Sequence, residues 1–151
     1  MSSNCIFCKI VKGEIPCYKV WEDSEHLAFL DIFPNTNGMT LVITKKHYDS
    51  DATDMSDEPY QKLMLAAKKV SKLLEKGLKV KRVAMVMEGM GVNHVHIKLY
   101  PLYGLDEKFK ETWHPEKKFF ERYEGYISTQ IGDKASDEEL KKTAEKIKNS
   151  L

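Results

Sequence analysis

Apolar residues along this chain recur with two different periods, and where the period changes the elements can be placed. Tyr18-Lys19-Val20-Trp21 reads as a strand closed by Glu22-Asp23-Ser24, with Trp21 a core residue. His26 to Asp31 is mostly apolar, as expected of a buried central strand, and the turn formers Pro34-Asn35-Thr36-Asn37-Gly38 break it. Met39 to Thr44 is a third strand and runs into Lys45-Lys46-His47, where the two lysines read as a solvated edge. From Ser56 the period becomes helical. Leu63, Ala67, Val70 and Leu74 form one stripe, Ser56 is a candidate N-cap, and Asp57 and Glu58 suit the positive end of the helix dipole. Pro59 is tolerated in a first turn, and Gly77 is the expected C-terminal stop. Val83 to Met87 is a fourth strand, and Glu88-Gly89-Met90-Gly91 turns the chain into a fifth, His94 to Lys98. Strands, one long helix, then strands predict an antiparallel α+β domain rather than alternating βαβ units.

After Pro101 the pattern loses its period. Gly104 to Lys118 is rich in charge and aromatics, and Phe119 to Tyr123 reads as a short helical or extended segment on the main body. His114 sits in a loop of this tail. Ser136-Asp137-Glu138-Glu139 is a capping-box signature for a closing helix to about Lys148. Its apolar content (Leu140, Ala144, Ile147) is thin, which predicts a surface position. The organisation expected is a domain over residues 1–101, with residues 102–151 as an extension packed on it.

Composition narrows the class. A chain of 151 residues can bury one core, and a net charge of +1 points neither to bulk nucleic-acid binding nor to membrane attraction. No apolar run approaches membrane-spanning length. The N-terminus lacks a basic region followed by an apolar core, and three cysteines, an odd number, favour a reducing compartment over a disulfide framework. The expectation is a soluble, cytoplasmic protein. His26, at the start of a strand, is expected at the surface, and Cys17 as a small, partly buried residue.

His94-Val95-His96-Ile97-Lys98 carries the chemistry. Strand side chains alternate, so both imidazoles and the ammonium are expected on one face, an arrangement suited to a metal, a phosphate or both. A polar solvent face is the plainer alternative. Cys5-Ile6-Phe7-Cys8 can grip one Zn²⁺ through two thiolates, and a closed site needs two more ligands, with His26, His47, His94, His96 and His114 as candidates. A redox role for the pair would be expected beside a βαβ unit, which the pattern lacks.

Four blocks together resemble the histidine triad (HIT) nucleotide-binding family. They are Cys5-Ile6-Phe7-Cys8-Lys9-Ile10-Val11-Lys12-Gly13-Glu14-Ile15-Pro16, Leu27-Ala28-Phe29-Leu30-Asp31-Ile32, Leu41-Val42-Ile43-Thr44-Lys45-Lys46-His47 and the His94–Lys98 segment. The likeness covers residues 4 to 101 and is to the zinc-containing branch. It implies an α+β fold with a central antiparallel sheet of about five strands, a homodimer, and action on nucleotides with a substituted α-phosphate. It makes His96 the nucleophile that forms a covalent nucleotidyl-histidine. It implies a structural, four-ligand Zn²⁺ on Cys5, Cys8, His47 and His94, and so a neutral His94. Asp31 matches the position that bonds the ribose hydroxyls, with Ile32 and Phe33 beside the base.

Two departures from the family bear on activity. Lys98 stands where the third histidine usually is, a cation that can neutralise phosphate as part of the catalytic pair with His96 but cannot accept a hydrogen bond. The loop Glu88–Asn93 offers Gly91 where a polar side chain is usual, so Gly89, Gly91 and Asn93 are expected to meet the phosphate through backbone amides. Two functions follow: a nucleotidyl hydrolase or transferase, or a nucleotide-binding protein with little turnover.

Overall fold

The computed structural model describes residues 4–111, 122 and 134–150. The Phe119–Tyr123 segment, apart from Arg122, and His114 lie outside them. The elements are α1 (Ile6–Val11), β1 (Lys19–Glu22), β2 (His26–Leu30), β3 (Thr40–Thr44), α2 (Asp57–Leu78), β4 (Arg82–Val86), β5 (His96–Leu102) and α3 (Asp137–Lys148), with a short 3₁₀ turn at Ala52–Asp54. Every strand pairing is antiparallel, and the five strands lie in the order β1-β2-β3-β5-β4. This is the expected α+β fold.

Both faces of the sheet are covered, which explains the unbroken apolar runs of β2 and β3. Ala28, Leu30, Val42, Ile97 and Leu99 meet the α2 stripe Leu63, Ala67, Val70 and Leu74 in the larger core. On the opposite face Leu27, Phe29, Leu41 and Ile43 pack with Cys5, Phe7 and Cys8 around α1. That first helix was not expected from the sequence, since six residues are too few for a helical stripe to declare itself. His26 shares the α2 side with Ala28 and Leu30. It is buried, not at the surface as expected, because α2 covers that end of β2 and Asp23 Oδ1 lies 3.1 Å from its Nδ1.

Two helix ends differ from expectation. Ser56 is the N-cap of α2 by backbone geometry but makes no side-chain cap bond, and the helix runs through Gly77 to close at Lys79, in the left-handed region at φ 56°. Gly77 is not a stop. A Cβ there would lie 2.9 Å from Ile147 Cα and 3.0 Å from the Lys146 carbonyl oxygen, so the glycine lets α3 cross α2 closely. The capping box on α3 forms as expected, and its thin stripe of Leu140, Ala144 and Ile147 is buried in the larger core. Burying Leu140 and Ile147 contributes roughly 1.5–3 kcal/mol each. Gly77→Ala should therefore cost about 1–3 kcal/mol through overpacking, lowering Tm by several degrees in a thermal melt. An unchanged Tm would mean that the crossing has slack.

Candidate active site and metal cluster

Register decides which face carries the chemistry. His96 pairs with Ile43, and Lys98 with Leu41, so both project on the α1 side of the sheet. β5 begins at His96, two residues later than expected; His94 sits in the preceding bend, where its N–H bonds the Val92 carbonyl at 2.8 Å. The Phe7 ring stands edge-on to both imidazoles, with centroids 5.7 Å from His94 and 5.4 Å from His96. The two histidines thus share a side of the sheet but face two different groups of residues.

His94 belongs to the first. Ligand atoms of Cys5, Cys8, His47 and His94 all lie within 4.8 Å of one another. Nδ1 of His94 is 3.4 Å from Cys5 Sγ, 3.6 Å from Cys8 Sγ and 3.2 Å from His47 Nδ1, and Cys8 Sγ is 3.4 Å from His47 Nδ1. Ligands placed tetrahedrally around zinc at ordinary bond lengths would stand about 3.5 Å apart for S and N and about 3.3 Å apart for two N. The donor set fits that ion. Nε2 of His94 donates to the Thr44 carbonyl at 2.8 Å, which leaves the Nδ1 lone pair facing the cluster. Burial holds His94 below the ordinary imidazole range and pushes the Cys8 thiol up. The imidazole is already in its ligand form, whereas the thiol must lose its proton to solvent before its sulfur can bind a cation.

His96 belongs to the second. Its Nδ1 lies 2.7 Å from the His94 carbonyl oxygen and so carries the proton, which leaves the lone pair on Nε2. Burial, aided by the Lys98 charge, lowers its pKa, and the ring is neutral near pH 7. His96 and Lys98 line a cavity of about 280 Å³ together with Asp31, Ile32, Phe33 and Gly91. Phe7, Ile15, Phe29 and Leu41 give that cavity apolar walls, and Ile32 and Phe33 are 41% and 39% exposed at its mouth. Gly89 and Asn93 do not line it. Gly89 backs onto Ser50, and the Asn93 amide accepts from Ser50 N–H and donates to Asp49 Oδ1, each at 2.9 Å. These two residues shape the loop from behind.

Lys98 is not an isolated cation. Its Nζ meets Glu88 Oε1 at 2.5 Å, with the two side chains 14% and 12% exposed. Glu88 was missed as a site residue because it reads as a loop charge, ten positions from its partner. The β4–β5 pairing places Val86 opposite Lys98 and so brings Glu88 alongside. Thr44 was missed because it acts through its carbonyl, which no side-chain pattern reveals.

Residues 12–104 match the HIT domain family. The chain belongs to that family. The paired cysteines precede the matched span. A HIT-like protein from Methanocaldococcus jannaschii, itself uncharacterised, is 42% identical over 103 residues, covering 66% of this chain and 79% of that protein. The adenosine 5′-monophosphoramidase of Schizosaccharomyces pombe is 40% identical over 99 residues, covering 65% of this HIT protein and 74% of the enzyme. A zinc-bound histidine triad family protein from Mycobacterium smegmatis superposes with a TM-score of 0.72 at 22% identity, covering 99% of this chain and 94% of that one. At that identity the likeness is one of fold. Among the described residues no helix is long and apolar enough to cross a membrane.

Proposed function

We propose that this HIT protein is a nucleotidyl hydrolase or transferase acting on nucleosides whose α-phosphate carries a substituent, with His96 as covalent nucleophile. The observation that carries the reading is the 2.7 Å bond from His96 Nδ1 to the His94 carbonyl, on the wall of a cavity shared with Asp31 and Lys98. It supplies what the third triad position cannot. Lys98 has no acceptor, but the backbone fixes the tautomer in its place and leaves Nε2 nucleophilic.

Nε2 forms a bond to the α-phosphorus as the bond from phosphorus to the leaving group breaks. The Lys98 ammonium offsets charge on the phosphate oxygens, and the amide of Gly91, which lines the cavity, bonds one of them. Water then adds to phosphorus, Nε2 departs with the electron pair of its P–N bond, and the nucleoside monophosphate and a proton are released. Asp31 holds the ribose hydroxyls, while Ile32 and Phe33 cover the base. The S. pombe relative, named an adenosine 5′-monophosphoramidase, supports an amine as one such leaving group.

Cys5, Cys8, His47 and His94 would hold a structural Zn²⁺, which supplies rigidity rather than a reacting centre, since all four positions are filled by protein. Its effect on catalysis runs through the His94 backbone, which carries the carbonyl that orients His96. A homodimer in the cytoplasm completes the proposal. The family likeness supports the dimer, and three free cysteines fit a reducing compartment.

The test is capture of the intermediate. Mixed with an adenosine 5′-phosphoramidate and quenched within the first turnover, the protein should carry one adenylyl group on His96 by peptide mass spectrometry. Adenylate release with no adduct at any quench time would point to direct attack by water. Tight nucleotide binding without release of product would favour the second reading, a nucleotide-binding protein with little turnover.

A further inference from the structure

Glu88 does not itself line the nucleotide cavity, but it touches Lys98, which does, and the fold holds it firmly. It lies two residues beyond Val86, which stands opposite Lys98, so it continues the face on which Lys98 projects. The next residue, Gly89, has φ 71°, and a Cβ on it would come within 2.6 Å of the Ser50 carbonyl oxygen. Asn93 ties Ser50 and Asp49 to the other end of the same loop. The carboxylate is thus fixed beside the ammonium, with only 12% of its side chain exposed.

Charge accounting gives this placement a consequence. Among the described residues lining the cavity, Asp31 is the carboxylate and Lys98 the ammonium. Adding Glu88 sets two carboxylates against one ammonium around the place where an α-phosphate must sit. An ammonium alone would attract any phosphate chain. With its charge matched by Glu88, each further anionic group meets a field that opposes it, and partial burial lets that field reach farther than it would in water.

We propose that Glu88 determines specificity: it makes the site favour nucleotides whose α-phosphate bears an uncharged substituent, such as an amine, over those extended by a phosphate chain. The inference rests on the nucleotidyl-transfer reading above and adds the substrate class. An amine leaves neutral once its nitrogen has taken a proton from solvent, and Glu88 opposes no charge on it. A departing phosphate chain carries its negative charge past that carboxylate.

The experiment compares kcat/KM for adenosine 5′-phosphoramidate and for diadenosine tetraphosphate in the wild-type protein, Glu88→Gln and Glu88→Asp. Glu88→Gln should raise the ratio of tetraphosphate to phosphoramidate by about tenfold, because it removes a charge and keeps the hydrogen bond. Glu88→Asp keeps the charge and should leave the ratio near the wild-type value. If Glu88→Gln changes both substrates by the same factor, Glu88 only supports the loop and the proposal is overturned. Binding provides a readout that needs neither the variants nor turnover. In calorimetry the wild-type protein should bind AMP more tightly than ADP at low salt, with the gap narrowing at high salt. Equal or tighter ADP binding overturns the charge preference. Absence of cleavage with AMP still preferred would instead count against the catalytic reading alone.

Discussion

His96→Ala should lower the turnover of an adenosine 5′-phosphoramidate by about 10³-fold or more, while AMP binds within a few-fold of the wild-type affinity. The two halves of this expectation have different origins. In the proposed reaction Nε2 makes the bond to phosphorus, so without it the reaction must use water directly. Affinity should survive because the cavity is lined mainly by other groups: Asp31, proposed to hold the ribose, Ile32 and Phe33 at the mouth, and apolar walls from Phe7, Phe29 and Leu41. The ring also packs edge-on against Phe7 and is 4% exposed, so its removal leaves space in the smaller core. Nucleotide titration is the control for that. If AMP affinity fell as far as turnover, the loss would be one of structure. Turnover within tenfold of wild type, with binding intact, would remove His96 as the nucleophile.

The second large effect concerns the metal. Protein purified without chelator should carry close to one equivalent of zinc, and stripping it, or making Cys8→Ser, should lower Tm by about 10 °C. Cys8 is the informative position because its sulfur approaches both imidazoles, His47 at 3.4 Å and His94 at 3.6 Å. The cluster joins the N-terminus of α1, the segment after β3 and the bend before β5, three parts of the chain far apart in sequence. Losing the ion removes that link and leaves buried thiols and imidazoles facing one another, at a cost of about 3–5 kcal/mol. Less than half an equivalent of zinc, or a melt insensitive to chelator, would take the four-ligand ion out of this account.

Much of the site was legible because its parts sit on short periods. Cys5 and Cys8 are spaced to share an ion, and His96 and Lys98 alternate with Val95 and Ile97 on one strand. The order of strands and the α2 stripe followed from periodicity in the same way, since burial on one side imposes a repeat that a reader can count. Gly77 shows where such reading fails. A glycine near the end of a helical pattern signals a stop if only local geometry matters, but here its missing side chain serves a helix some seventy positions later. His26 fails for the same reason: a polar residue at a strand end reads as exposed until α2 is known to cover it.

The sequence by itself determined the α+β class, the family and the identities of the groups able to ligate metal or attack phosphorus, because those depend on residue type and local repeat. Only the tertiary structure decided that His94 and His96, neighbours on one stretch of chain, divide between a cluster of potential metal ligands and a cavity. It also decided that Lys98 works with Glu88 at its side and that a backbone carbonyl sets the tautomer of His96. Those assignments depend on which strands lie side by side and in what register, and long-range pairing of that kind leaves no repeat in the chain.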